Sequence, residues 1–271
     1  MWYLQTPTLV HNIMGDGTVV GVVVLEDSVY IARHQTSSLE VYDAVRFKKK
    51  RCVEVSGLKR PEDMATCSHH RSLYISDSSA SERGIHRVGR SIPETAVRWS
   101  VGCTPDGLSV LSTTHNLLVA SREACRLKEY TTDGTLVREM CLGAMGSNLD
   151  PLHAVRLTGG GYLICNDTMQ PLLGTTDDDG HVRRFYEAQS TAGHLDQPVY
   201  LIVDSRGYIL VADRGNHRVL LLSPTLSLIS QLVRSTHGLK SPYRLFLDEA
   251  RGRLYVGNHD GQLLVFKVLK T

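Results

Sequence analysis

The tripeptide LVA that begins at Leu210 is one of six versions of a short apolar signature. The others are YIA at Tyr30, YIS at Tyr74, LVA at Leu118, LIC at Leu163 and YVG at Tyr255, spaced 44, 44, 45, 47 and 45 residues apart in chain order. A second marker keeps the same register. Pro61, Pro105, Pro151, Pro198 and Pro242 each stand ahead of a strand-like run, such as VYLIV after Pro198 or YRLFL after Pro242. Two markers in phase over most of the chain define a repeat, and a period of this size specifies a stacked or radial array of small units.

Each unit offers four strand-like runs. In the fifth they fall at 200–203, 208–212, 219–222 and 228–233, separated by turn sequences such as DRGNH and by Ser223-Pro224. Pro224 would lose a backbone hydrogen bond and clash inside a helix. The inner runs are continuously apolar rather than alternating, as expected of a sheet covered on both faces. No segment carries a helical pattern of 12 residues, which argues against a helical solenoid of similar period.

The expected fold is therefore all-β: a six-bladed β-propeller of four-stranded antiparallel sheets. Residues 1–271 form one domain, with blades at roughly 16–55, 58–101, 102–142, 149–190, 195–235 and 239–271. The sixth unit has only three strands (YRLFLD, RLYVGN and LLVFKV), whereas the first has four runs of its own between residues 19 and 55. The segment WYLQTPTLV within residues 1–10 is left over. It is expected to close the ring as the outer strand of blade six, pairing an otherwise open edge.

Composition narrows the function classes. Hydrophobic content of 42% with 21% charged residues is that of a globular chain. No apolar run reaches the ~20 residues that span a bilayer, so no membrane partner is expected. A net charge of +2 is not that of a dedicated nucleic-acid binder. Cys52, Cys67, Cys103, Cys125, Cys141 and Cys165 lie singly, with no C-x-x-C pair. They read as free thiols in a reducing, cytoplasmic setting, and no signal peptide precedes them. The sequon Asn166-Asp167-Thr168 would matter only in a secreted protein. The ring is expected to be monomeric.

The fifth unit also resembles the NHL repeat, whose pattern is D-x-x-G-x-[ILV]-x-V-A-D-x-x-N-x-R-[VI]. Asp204, Gly207, Asp213, Asn216, Arg218 and Val219 fill it. The sixth unit keeps Asp248 and Gly252 with Asn258 in the Asp place, and the third keeps Arg126 with Ser121 there. The chain is similar to the C-terminal propeller of tripartite-motif NHL proteins. The RING, B-box and coiled-coil parts of those proteins have no counterpart in these residues, so ubiquitin-ligase activity is not carried over.

In such a ring the segments after the prolines and after the second strands meet at one end of the central channel. That top face is expected to gather Arg33, His34, Arg122, Asp167, Tyr200, Arg214, His217, Tyr243, Arg244 and His259. Arginine, tyrosine and histidine together suit a protein hot spot or the stacking of unpaired bases. The expected function is a non-catalytic interaction module with a protein or peptide partner favoured, the alternative being single-stranded RNA on the same face. Arg126 and Arg218 are assigned structural roles, Arg218 turning back on Asp213. The run KKKR at 48–51 is placed between the third and fourth strands of the first unit, on the opposite face, as a solvated loop.

A propeller hydrolase or lyase with a divalent metal in the channel is the further alternative. Peptide-amidating lyases resemble the chain in fold and hold zinc with histidines directly after the blade prolines. Here those places hold Glu62, Asp106, Leu152, Val199 and Tyr243, with His153 one residue away. Asn166, Asp213 and Asn258 imitate the acidic and amide set of calcium-dependent lactonases, but they stand where the repeat itself requires turn formers. No G-x-S-x-G, phosphate loop or H-E-x-x-H occurs. No catalysis, zinc, dinucleotide or other cofactor is expected.

Overall fold

The inner strands of the six units, Val19–Leu25, Pro61–Cys67, Gly107–Val110, His153–Arg156, Pro198–Val203 and Pro242–Asp248, surround a central channel. The structure is a computed structural model that describes residues 2–80, 83–89, 97–142, 150–166, 172–188 and 191–270. Six four-stranded antiparallel sheets follow one another around the ring, five of them built from consecutive strands. Apart from two one-turn 3-10 helices, Thr191–Gly193 and Ser235–His237, the regular structure of the described residues is all strand. None of their helices is long and apolar enough to cross a membrane.

The sixth sheet closes the ring. Its outermost strand is Tyr3–Ile13, paired antiparallel with Leu263–Leu269 through Tyr3 opposite Leu269, Leu9 opposite Phe266 and Ile13 opposite Leu263. The Tyr3 hydroxyl donates to Asp204 at 3.1 Å, tying this strand to blade five as well. The first and last segments of the sequence thus share one hydrogen-bonded ladder, which removes the open edge that blade six would otherwise present.

The reason the inner runs are apolar throughout is visible in the packing. Hydrophobic side chains gather in six clusters, one at each junction between neighbouring blades. Val22, Ile31, Tyr255 and Val265 fill the junction of blades six and one, and Leu163, Leu201, Val211 and Leu220 that of four and five. Both faces of each middle strand are sandwiched, so LLVAS in blade three and ILVAD in blade five are buried at every position. Each such leucine contributes about 2 kcal/mol by leaving water. Glycine is needed where blades approach most closely: a Cβ on Gly21 would lie 2.8 Å from that of Met64 on blade two.

Outer strands obey a different rule, and they correct one expectation. The basic run at 48–51 is not a loop. Lys49, Lys50 and Arg51 begin the outer strand Lys49–Glu54 of blade one, which is exposed along nearly its whole length. A strand at the rim of a propeller is covered by nothing beyond it, so lysines serve there as well as valines do inside.

Candidate interaction face

In blades two and five the end of the second strand carries the residue that organises the top of the blade. Asp213 is fully buried and accepts from the Asp196 amide at 2.7 Å, Asn216 Nδ2 at 2.9 Å and Arg218 Nε at 2.6 Å. It therefore ties the turn after the second strand to the segment entering the blade. Asp77 does the same work in blade two, accepting from the amides of Lys59, Arg60 and Ser79. In blade three the equivalent residue is Ser121, and Asp106, just after Pro105, takes over. Its carboxylate accepts from the Arg122 amide at 2.9 Å and pairs with Arg122 Nε at 3.1 Å. Burial pushes the Asp106 carboxyl up, against the pull of both Arg122 contacts. Arg126 occupies the slot of Arg218, but with no Asp to meet it turns to Glu139 at 2.7 Å.

These clamps shape a cleft of about 420 Å³ at the top mouth of the channel. Five of the residues expected on this face line it: His34, Arg122, Arg214, Tyr243 and His259. Arg60, Arg83, Glu62, Asp106 and Thr104 join them without having been singled out for binding. Four guanidiniums thus meet two carboxylates. Arg60 is held by Glu62 at 3.3 Å, and Arg83 by Glu123 at 2.8 Å. Arg214 lies over the Tyr243 ring, 5.8 Å from its centre, and Tyr243 meets His259 edge-on. Among the described residues Arg214 has no ion-pair partner.

The remaining expected residues stand elsewhere. His217 is exposed but outside the cleft, where its Nδ1 accepts from the Ser241 amide at 3.0 Å. Asp167 lies outside the described residues. Arg33, Tyr200 and Arg244 are not surface groups: they are 4%, 6% and 2% exposed. Arg33 joins blade one to blade six, pairing with Glu40 at 2.9 Å and donating to the Gly261 carbonyl at 2.8 Å. Long cationic side chains reach far, and both arginines bend inward to meet acceptors more than 180 residues away in sequence.

Arg244 belongs to a polar plug beneath the cleft to which all six blades contribute. Its Nε donates to the Val20 carbonyl of blade one at 2.9 Å and lies 3.2 Å from Asp63 of blade two. The Asp63 carboxylate also accepts from the Leu108 amide of blade three at 2.7 Å and from the Met64 amide at 2.8 Å. His153 of blade four donates from Nε2 to the Leu108 carbonyl at 3.1 Å and lies tilted against the Tyr200 ring of blade five, with ring centres 3.9 Å apart. Tyr200 bonds Asp63 and lies beneath the Arg244 guanidinium. Burial pushes the Asp63 carboxyl up to about 6, with Arg244 and the two amides holding it down against that effect. Burial drives His153 down to about 3, so the ring is neutral.

The polar groups of the plug are engaged with one another and with the backbone. Asp63 is engaged by Arg244, Tyr200 and two backbone amides, and among the described residues the ring packed against His153 is that of Tyr200, not a second histidine. The Asp213 carboxylate is engaged within blade five, and Asn166 Oδ1 accepts from the Leu172 amide at 2.9 Å. Of the His, Cys, Asp and Glu side chains described, Asp177, Asp179 and His181 group closely enough to share an ion. They sit in one turn of blade four, where Asp177 already accepts from the Asp179 and His181 amides.

No family model matches the chain. It is similar to E3 ubiquitin-protein ligase TRIM56 of Homo sapiens, 27% identical over 151 residues that make up 55% of this chain and 20% of that protein. The Mus musculus protein is 26% identical over 179 residues, 65% of this chain and 24% of the relative. The chain therefore matches a fifth to a quarter of the length of these relatives. Among solved structures, the WD40 propeller domain of Doa1 superposes with a TM-score of 0.65 at 16% identity, covering 97% of both chains. Hydrazine synthase of Kuenenia stuttgartiensis gives 0.65 at 15%, covering 97% of this chain and 98% of that one. A catalytically inactive virginiamycin B lyase of Staphylococcus aureus with quinupristin gives 0.67 at 11%, covering 94% and 98%. The chain is thus a six-bladed propeller with weak homology to TRIM56, and its structural neighbours include a synthase, a lyase and a WD40 propeller domain.

Proposed function

We propose that this propeller is a non-catalytic module that binds a protein or peptide on its top face, over the cleft lined by Arg60, Arg83, Arg122, Arg214, Tyr243 and His259. The observation that carries this reading is the excess of guanidinium over carboxylate in a cleft of about 420 Å³ built on a rigid ring. Arginine and tyrosine are the residues that dominate protein hot spots, and loops on a rigid scaffold are where such folds act. A net charge of +2 gives little long-range attraction for a polyanion, which favours a peptide with acidic groups over nucleic acid. The six free cysteines support a reducing, cytoplasmic setting. From the homology to TRIM56 we carry over an interaction role alone, since a ligase activity belongs to the whole of that longer protein.

Single-stranded RNA is the second reading, favoured by Arg214 over the Tyr243 ring, an arrangement that also receives bases. The test is a lysate capture run beside a selection against random RNA, comparing the native chain with Arg122→Glu and Arg214→Glu. Protein capture lost in both variants is the expected result. RNA enrichment lost in both, with a log-log salt slope of roughly −0.7 per phosphate contacted, reverses the order. Protein capture that survives both moves the interface away from the cleft.

A further inference from the structure

At the end of the ring opposite the cleft, the turn between the first two strands of blade two (residues 68–71) meets the corresponding turn of blade three (residues 111–116). Each brings histidine to the meeting point. The His69 and His115 rings stack in parallel with centres 4.2 Å apart, and His70 stands edge-on to both, at 4.6 Å from His69 and 5.8 Å from His115. Three of the chain's twelve histidines thus converge from two segments some 45 residues apart.

The turns do not need these side chains for their own shape. The first is closed by the Arg71 amide on the Ser68 carbonyl and by Ser72 Oγ on the His70 carbonyl. The second is closed by the His115 amide on Leu111 and the Leu111 amide on Asn116. His115 is held in the left-handed region, at a φ of 60°. Among the described residues no group hydrogen-bonds to the ring nitrogens of the three histidines. His69 and His70 are exposed and His115 is half-buried.

We propose that His69, His70 and His115 together bind one divalent transition-metal ion of the zinc class, clasping blades two and three at the bottom face. As the rings stand, their donor nitrogens do not all lie close enough to share an ion; the site forms when the exposed rings turn about their side-chain torsions to aim one nitrogen each at it, leaving a fourth position for water or for a donor from another molecule. The donor set decides the class of metal. Three imidazoles suit zinc, copper(II) or nickel, and three protein ligands with an open position form a recognised zinc arrangement. Calcium and magnesium require oxygen ligands, which this group lacks.

The surroundings sharpen that choice. Arg71, paired with Glu26 at 3.6 Å, and Arg87, donating to the Thr132 carbonyl, stand near the cluster. Their charge opposes a cation, so affinity must come from nitrogen lone pairs rather than from the local field.

The test is isothermal titration of zinc chloride into the full chain at pH 7.5, in a buffer that does not bind metal and with exposed thiols alkylated. One ion per chain is expected, and each of His69→Ala, His70→Ala and His115→Ala should weaken binding at least about tenfold. His181→Ala, in the acidic turn of blade four, should leave it unchanged. Zinc should also raise the melting temperature of the native chain but not that of His115→Ala, because only the intact site gains stability from the ligand. Absence of stoichiometric binding up to about 100 µM zinc, a range that still admits weak sites, overturns the proposal. So does binding that survives all three substitutions or that is lost in His181→Ala.

Discussion

Arg244→Met removes the one cation from the centre of the polar plug. The substituted side chain has similar length and no charge, so the channel stays filled. Asp63, which is fully buried, keeps two backbone amides and the Tyr200 hydroxyl but loses its counter-charge, and the Val20 and Glu62 carbonyls lose their donor. Leaving one member of a buried pair without its partner costs about 3–5 kcal/mol. Asp63 relieves part of this by holding a proton. Its folded pKa, about 6 against 3.8 for the ordinary group, rises further in the variant. A carboxyl whose folded pKa is raised is bound more tightly by protons in the folded state. Its contribution to stability is therefore best at low pH and is lost as pH rises through the window between the two values. The variant should lose about 3–5 kcal/mol at pH 8, and less at pH 5.5 by about 1.4 kcal/mol for each unit of further rise. Urea unfolding at the two pH values measures this. Asp63→Asn added to Arg244→Met should recover much of the loss at pH 8, since no charge then remains to be stranded. An equal loss at both pH values, together with strict additivity in the double variant, would refute the plug as described.

Deleting residues 1–10 removes the pairs from Tyr3 to Leu9 and uncovers Phe266 and the edge of Leu263–Leu269. A loss of about 3 kcal/mol, or roughly 6–12 °C in melting temperature for a chain of this size, is expected, and an unchanged melting temperature would contradict closure. His153→Phe removes a histidine whose folded pKa, about 3, lies below its ordinary 6.5. Such a group supports the fold above pH 6.5 and withdraws that support as pH falls toward 3. The variant should accordingly unfold at lower pH than the native chain in an acid titration followed by circular dichroism. Asp213→Ala leaves the Asp196 amide, Asn216 and Arg218 without their shared acceptor, and should cost about 1–3 kcal/mol, with faster proteolysis in the turn at 214–217 as the local readout.

The architecture was legible in the sequence because burial between blades imposes it on every unit. A middle strand with neighbours on both faces has to be apolar at successive positions, and the LVA, YIA and LIC signatures are that requirement written six times. The three-strand sixth unit and the unassigned first ten residues likewise pointed to one another. The rim strands were harder to read, because Lys49–Glu54 is solvated and carries no apolar pattern. The face was legible in part. His34, Arg122, Arg214, Tyr243 and His259 follow from their places in the repeat, but Arg33 and Arg244 have the same places and turn inward. What draws them in is a carbonyl or carboxylate from a distant blade, and nothing local in the sequence announces it. Asp106 was read only as a missing zinc ligand, yet it replaces the repeat Asp that Ser121 cannot supply. The three histidines of the bottom face are brought together by the stacking of blades, so no linear motif contains them.

The claim that the top face is the working surface is tested most directly by site-specific photo-crosslinking in cells. A benzoylphenylalanine at His34 or Thr104 samples the cleft, one at Thr113 samples the bottom face, and one at Arg183 samples the rim. The account predicts that the two cleft positions capture the same protein partner, that capture is lost on adding Arg214→Glu, and that the other two positions do not yield it. A partner recovered from Thr113 or Arg183 and not from the cleft would contradict it.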